Sequence, residues 1–212
     1  MKAVIFDFDG TIVDSLAAII RVLEDVTGAK KPLSEAEVEK LENLSMWQVA
    51  RAMKLPLYKV PIIIFRGRRM FRDHMRSVRV HSGMSELIEM LHEKVPLFVL
   101  STNRTTNIEK YLTWHGLDRF FTRIYGEANP LSKVRKLREL LDREGLKAEE
   151  VWCVGDEIID IKSAHKVGMS VAAVTWGYSS PEGLRAHHPD TLVDTVSGLR
   201  NMFEQQLTQG NI

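Results

Sequence analysis

Lys2-Ala3-Val4-Ile5-Phe6-Asp7-Phe8-Asp9-Gly10-Thr11 decides how this chain is read. An apolar run ends in two carboxylates spaced i and i+2, followed by a Gly-Thr turn. Val4, Ile5 and Phe6 read as a short, fully buried strand of the kind found inside a parallel sheet. Side chains two apart on extended backbone point the same way. Asp7 and Asp9 therefore both face the space beyond the strand's carboxyl end, where ligands of open α/β sheets bind. Two like charges held together are costly unless a cation neutralises them or one keeps its proton. The stretch is a candidate site on electrostatic grounds alone.

Downstream, strand and helix alternate. The periodicity predicts a helix over 84–93, a buried strand over Leu97-Phe98-Val99-Leu100, and a helix over 106–115. A short strand at Arg123-Ile124-Tyr125 and a helix over 133–144 follow. Val151 to Val154 reads as a strand, 159–167 as a helix stopped by Gly168, and Val171 to Val174 as a further strand. Thr191-Leu192-Val193 is an edge-strand candidate. This alternation argues for a parallel sheet with right-handed crossovers, and the first strand belongs to it.

Residues 14–79 break the pattern. Residues 14–28 read as a helix through Leu16, Ile19, Ile20, Leu23 and Val26. Capping boxes at Ser34/Glu37 and Ser45/Gln48 announce two more, and a longer helical segment follows Pro61. The block is read as helical almost throughout, and as an insertion placed directly after the paired carboxylates.

Three further stretches carry chemistry. Leu100-Ser101-Thr102-Asn103 ends a strand in short hydrogen-bonding side chains, as a phosphate at the sheet's carboxyl edge requires. Taken alone, it is better read as a turn capping the next helix. Lys133 opens a helix after Asn129-Pro130-Leu131-Ser132, with Lys136 close behind; a lone lysine is usually a solvated one. Val154-Gly155-Asp156-Glu157-Ile158-Ile159-Asp160 puts two acids four apart on one face of a helix's first turn. A helix dipole would explain one such acid but not three.

Together these stretches resemble the haloacid dehalogenase-like (HAD) phosphohydrolases. Asp7-Phe8-Asp9-Gly10-Thr11 resembles the family's DxDGT signature, Ser101 its second motif, Lys133 its cation, and Asp156 to Asp160 its GDxxxD acidic motif. Four motifs in order, each just past a strand, make a strong joint signal. Two departures stand out. Lys133 lacks the proline that often follows it in the family, and Glu157 replaces a small Ser or Thr.

The resemblance implies a Rossmann-like α/β core, residues 1–13 and 80–212, with an all-helical cap at 14–79. It implies a Mg²⁺-dependent phosphatase acting on a small phosphorylated metabolite such as phosphoglycolate. Asp7 would be the nucleophile and Asp9 the acid and base. Ser101 and Lys133 would hold the phosphoryl group, with Gly10, Thr11, Thr102 and Asn103 around it. Asp7, the carbonyl of Asp9, Asp156 and, in support, Asp160 would hold the metal. A sugar phosphomutase shares these motifs. A dehalogenase would lack Asp9, and a phosphonate hydrolase needs a cap lysine that nothing marks. A non-catalytic adaptor on this scaffold would have lost one of Asp7, Asp9, Lys133 or Asp156.

Bulk composition fits. The 212 residues are 44% hydrophobic and 27% charged, with a net charge of +1. That balance gives no case for nucleic acid or a membrane surface. The basic run from Arg66 to Arg79 has no interleaved Trp or Tyr and reads as a charged helix exterior. No apolar run approaches the roughly 20 residues needed to span a bilayer. No signal peptide is expected, and the expected compartment is cytoplasmic. The single cysteine, Cys153, sits in an apolar strand and reads as a buried, inert thiol. Trp176-Gly177-Tyr178 follows the last core strand, where a loop could line the active site, though Trp and Tyr there are more often packing than substrate contacts.

Overall fold

A computed structural model describes residues 1–15, 78–128 and 132–209, together with Glu24 and Arg51. The chain divides into two compact units, Met1–Asp14 with Val80–Ile212, and Ser15–Arg79. The expected helices between residues 16 and 77 lie outside the described residues, apart from Glu24 and Arg51, whose backbone is helical.

The first unit is built on a six-stranded sheet. Its strands are β1 (Ala3–Phe6), β4 (Leu97–Leu100), β5 (Arg123–Tyr125), β6 (Val151–Gly155), β7 (Ser170–Val174) and β8 (Thr191–Val193), in the order β5-β4-β1-β6-β7-β8. Every pairing is parallel. Strand β1 is central because it is apolar at every position. Both of its faces are covered, and Ala3, Val4, Ile5 and Phe6 have no exposed surface.

Side-chain alternation splits the core into two layers. Ala3, Ile5, Phe98, Leu100, Val151 and Cys153 pack against α3 (Lys133–Glu144) and α4 (Ile158–Val167) through Leu137, Leu140, Ile161 and Ala164. On the opposite face, Phe6 meets Phe121 edge-on, and Trp152 meets Phe203 of α6 (Val196–Gln209) in the same way. That face also carries α1 (Met84–His92), whose Met84, Leu87, Ile88 and Leu91 are buried. Helix α2 (Thr105–Trp114) and the short α5 (Pro181–Arg185) complete the set. The expected β-α alternation is observed element by element, with α2 starting at Thr105.

One expectation is corrected. Residues 14–79 do not begin and end as helix, because β2 (Val13–Asp14) and β3 (Arg79–Val80) form a two-stranded sheet. Beside it, the His81 N–H donates to the Ile12 carbonyl. Helical periodicity across Leu16 to Val26 masks this ribbon, whose strands are only two residues long. The α5 and α6 helices are also additions. Pro181 occupies the first turn of α5, and the Ser180 side chain accepts from the Gly183 N–H at 3.1 Å.

Candidate active site

The register sets the geometry. Phe6 lies opposite Val99 on one side and Val154 on the other. The chain emerges as Asp7 at the middle of the carboxyl edge, its N–H donating to the Val154 carbonyl at 2.8 Å. Ser101 leaves β4 and Asp156 leaves β6 at the same edge. Between them the β1 chain turns sharply. Gly10 takes φ 79°, a left-handed conformation that glycine adopts without strain, and its N–H closes on the Val13 carbonyl at 2.9 Å.

On the β6 side the acids are enclosed. Asp156 and Asp160 have no exposed surface, and Asp7 is 6% exposed. Asp156 accepts from Thr11 Oγ1 at 2.6 Å through Oδ1, and from the Tyr178 N–H at 2.8 Å through Oδ2. Asp160 Oδ2 accepts from the Glu157 N–H at 3.0 Å, capping α4. Three glycines make room for these carboxylates. A Cβ on Gly10 or Gly177 would overlap Asp156, and one on Gly155 would overlap Asp160.

Lys133 enters this cluster from the first residue of α3. It is 1% exposed, and a buried ammonium demands charged partners. Its Nζ contacts Asp160 Oδ1 and lies 3.4 Å from Asp7 Oδ1. Burial works against the charged ammonium, but Asp160 and Asp7 outweigh it and hold Lys133 firmly protonated. Burial pushes the Asp7 and Asp156 carboxyls well above the usual range, and neighbouring acids add to it. Glu157, half-buried beside them, is pushed up to about 7, first by burial and then by Asp160.

Among the described residues, Asp7, Asp156 and Asp160 can bring one oxygen each within 4.8 Å of one another. Ionised, three carboxylates against one ammonium would leave an excess of two negative charges in a desolvated volume, which burial opposes. A divalent cation balances that excess, and an all-oxygen donor set of this size suits a hard ion such as Mg²⁺. The residues therefore fit a divalent metal.

On the β4 side the groups are neutral. Ser101 is fully buried, and its Oγ accepts from the Asn103 N–H at 3.2 Å. Asn103 Nδ2 donates to Asp9 Oδ2 at 3.0 Å. Asn103 Oδ1 accepts from the Arg104 N–H at 2.8 Å and from Asn107 Nδ2 at 3.2 Å. Thr102 is half-buried in the same turn.

The structure thus gathers Asp7, Asp9, Ser101, Asn103, Lys133, Asp156 and Asp160 at one sheet edge. Two residues expected around phosphate are engaged otherwise. The Thr11 hydroxyl proton goes to Asp156, and the Asn103 amide to Asp9. Lys136 donates to the Gly126 carbonyl and is not a member of the cluster. Cys153 is buried, and burial pushes its thiol up, as expected of an inert residue. The loop Trp176-Gly177-Tyr178 lines the site. Trp176 Nε1 donates to the Thr11 carbonyl at 3.1 Å and the Tyr178 N–H holds Asp156. A small residue between two aromatics, directly after a core strand, was the available signal.

A family model described as haloacid dehalogenase-like hydrolase matches residues 4–174. A phosphoglycolate phosphatase of Synechococcus elongatus is 32% identical, over 99% of this chain and all of its own length. A 5'-nucleotidase of Pseudomonas aeruginosa is 26% identical over 95% of each chain. Among solved structures, a haloacid dehalogenase-like family hydrolase from Streptococcus pneumoniae superposes with a TM-score of 0.82 at 21% identity. That match covers 96% of this chain and 98% of the other. Among the described residues no helix is long and apolar enough to cross a membrane.

Proposed function

The chain belongs to the haloacid dehalogenase-like hydrolase family and is a phosphatase; from that premise we propose that it is a Mg²⁺-dependent, cytoplasmic enzyme hydrolysing phosphoglycolate or a closely similar small phosphomonoester. The observation that carries this reading is the buried cluster of Asp7, Asp156 and Asp160, with Lys133 against Asp7 and Asp160. Residues 1–13 and 80–212 are on this reading the catalytic core, and 14–79 the inserted helical cap.

Asp7 attacks phosphorus in line and becomes an aspartyl phosphate while the P–O bond to the leaving group breaks. Asp9 gives its proton to the departing oxygen. It then takes a proton from the water that releases phosphate from Asp7. Lys133, the Ser101 hydroxyl and the Thr102 backbone N–H orient the phosphoryl oxygens and balance their charge. Positioning and charge balance are most of what phosphoryl transfer needs. Asp7, the Asp9 carbonyl and Asp156 would hold Mg²⁺, with Asp160 in support through its hold on Lys133. When bound, the ion supplies charge neutralisation.

The test is turnover of a panel of phosphomonoesters that includes 2-phosphoglycolate and a 5'-nucleotide, in chelator, Mg²⁺ and Ca²⁺. The expected result is no activity in chelator, recovery with Mg²⁺ and inhibition by Ca²⁺. Ca²⁺ accepts more ligands at longer range and can occupy both oxygens of Asp7. Full activity in excess chelator overturns the metal assignment. Preference for the nucleotide replaces phosphoglycolate as substrate.

A further inference from the structure

We infer that Asn107 is a positioning residue for Asp9: it locks the Asn103 amide in the orientation that donates to the Asp9 carboxylate. The inference rests on the reading of Asp9 as general acid given above. Asn107 and Asn103 are 5% and 8% exposed, so their polar atoms must find partners inside the protein. Asn103 is held at every other point. Its N–H donates to Ser101 Oγ at 3.2 Å and its carbonyl accepts from the Glu127 N–H at 2.7 Å. What remains free is rotation of its amide.

Two donors remove that freedom. The Arg104 N–H points at the Asn103 amide from 2.8 Å. A backbone N–H can only donate, so the amide must present oxygen there, and the assignment of O and N is forced by chemistry. Asn107 Nδ2 donates to the same oxygen from 3.2 Å. With both lone pairs of Oδ1 engaged, Nδ2 is turned to Asp9 Oδ2 at 3.0 Å. Asn103 lies just before the N-cap of α2, Arg104, and Asn107 is in the first turn of that helix, buried with Ile108 and Tyr111, so its side chain reaches back to Asn103. Asp9 starts the Gly10 turn and is only partly buried, so this amide is its tether on the β4 side.

A tether on a general acid matters in proportion to the proton the leaving group needs. An alkoxide leaves poorly and requires protonation by Asp9, whereas p-nitrophenolate leaves without it. The quantity to measure is kcat/KM, which reports steps up to release of the leaving group and excludes the later attack of water. Asn107→Leu removes the donor in nearly the same volume, and Asn107→Asp places an acceptor against Asn103 Oδ1. For 2-phosphoglycolate, kcat/KM is expected to fall about threefold in Asn107→Leu and about tenfold in Asn107→Asp. For p-nitrophenyl phosphate both stay within about twofold. Melting by circular dichroism accompanies each variant, and Asn107→Leu carries the test if Asn107→Asp does not fold.

Equal losses on the two substrates, or none on either, overturn the proposal. Asp9→Asn separates the levels of inference. It should discriminate the same two substrates by about a hundredfold or more. If Asp9→Asn discriminates and neither Asn107 variant does, Asn107 is not Asp9's tether. If Asp9→Asn does not discriminate, Asp9 is not the acid and both readings fall.

Discussion

On the β6 side of β1 the site consists of acids walled in by glycines, and on the β4 side of amides and a hydroxyl that hydrogen-bond one another. Asp156 and Asp160 have no exposed surface, and Gly10, Gly155 and Gly177 leave no space for a methyl group beside them. Ser101, Asn103 and Asn107 are linked by hydrogen bonds of 3.2 Å, each with some tolerance. The β6 side works through charge and close approach, where a displaced group has nowhere to go. The β4 side works through direction, where a lost bond leaves its neighbours partly held. Damage to the first should be steep and tied to the metal. Damage to the second should be graded.

The largest effect is expected where the two sides meet. Asp7→Asn keeps volume but loses the nucleophile, so turnover should drop by about four orders of magnitude or more. Its circular dichroism spectrum should stay native. Residual turnover above a small fraction of wild type would show that no covalent intermediate forms on this strand. Next is Lys133→Met, which leaves Asp7 and Asp160 facing each other without their cation. Breaking a buried pair in this way costs about 3–5 kcal/mol. Melting should fall sharply in chelator and recover in part with Mg²⁺, and turnover should fall about a hundredfold or more. Unchanged melting in chelator would mean that the ammonium does not hold the acids together.

Gly177→Ala sharpens the contrast without touching a charge. The added methyl overlaps Asp156, so the Mg²⁺ concentration for half-maximal stabilisation in a thermal shift should rise about tenfold or more. An unaltered Mg²⁺ response would show slack in the wall. Ser101→Ala is the mildest of the four. It removes one acceptor and one donor on the tolerant side, and turnover should fall about tenfold with the Mg²⁺ response unchanged. If Ser101→Ala weakened Mg²⁺ as much as Gly177→Ala, the two sides would not be separable.

Much of this arrangement was legible before any coordinates. Asp7 and Asp9 are readable because strand periodicity is two; Asp156 and Asp160 are readable as acids four apart, although Asp156 precedes the N-cap Glu157 and is placed by the end of β6 rather than by a helical turn. Lys133 could be singled out only by the need for a cation. Lys136 lies close by in sequence, but its Nζ is on the Gly126 carbonyl. The Trp176-Gly177-Tyr178 contribution was hidden because Tyr178 acts through its backbone N–H, which no side-chain pattern encodes. The β2–β3 ribbon was hidden because two-residue strands have no period to detect. Helix α6 was missed for the opposite reason. Leu199 and Phe203 are its fully buried apolar anchors in a Gln-rich stretch, too sparse to stand out as a stripe.

The central placement of β1 has a consequence for how the chain is made. Ala3 pairs with Val151 and Phe6 with Val154, so this wholly apolar strand leaves the ribosome about 150 residues ahead of the partner that covers one of its edges. At about 5–20 residues per second, the delay is roughly seven to thirty seconds. During that time the edge of β1 that β6 covers stays open, and Asp7 lacks Asp156 and Asp160, which follow β6 in the chain. The reactive carboxylate therefore gains its chemistry only when synthesis is well advanced. Until then the nascent chain carries a hydrophobic strand with an open edge, the kind of segment that holding chaperones bind.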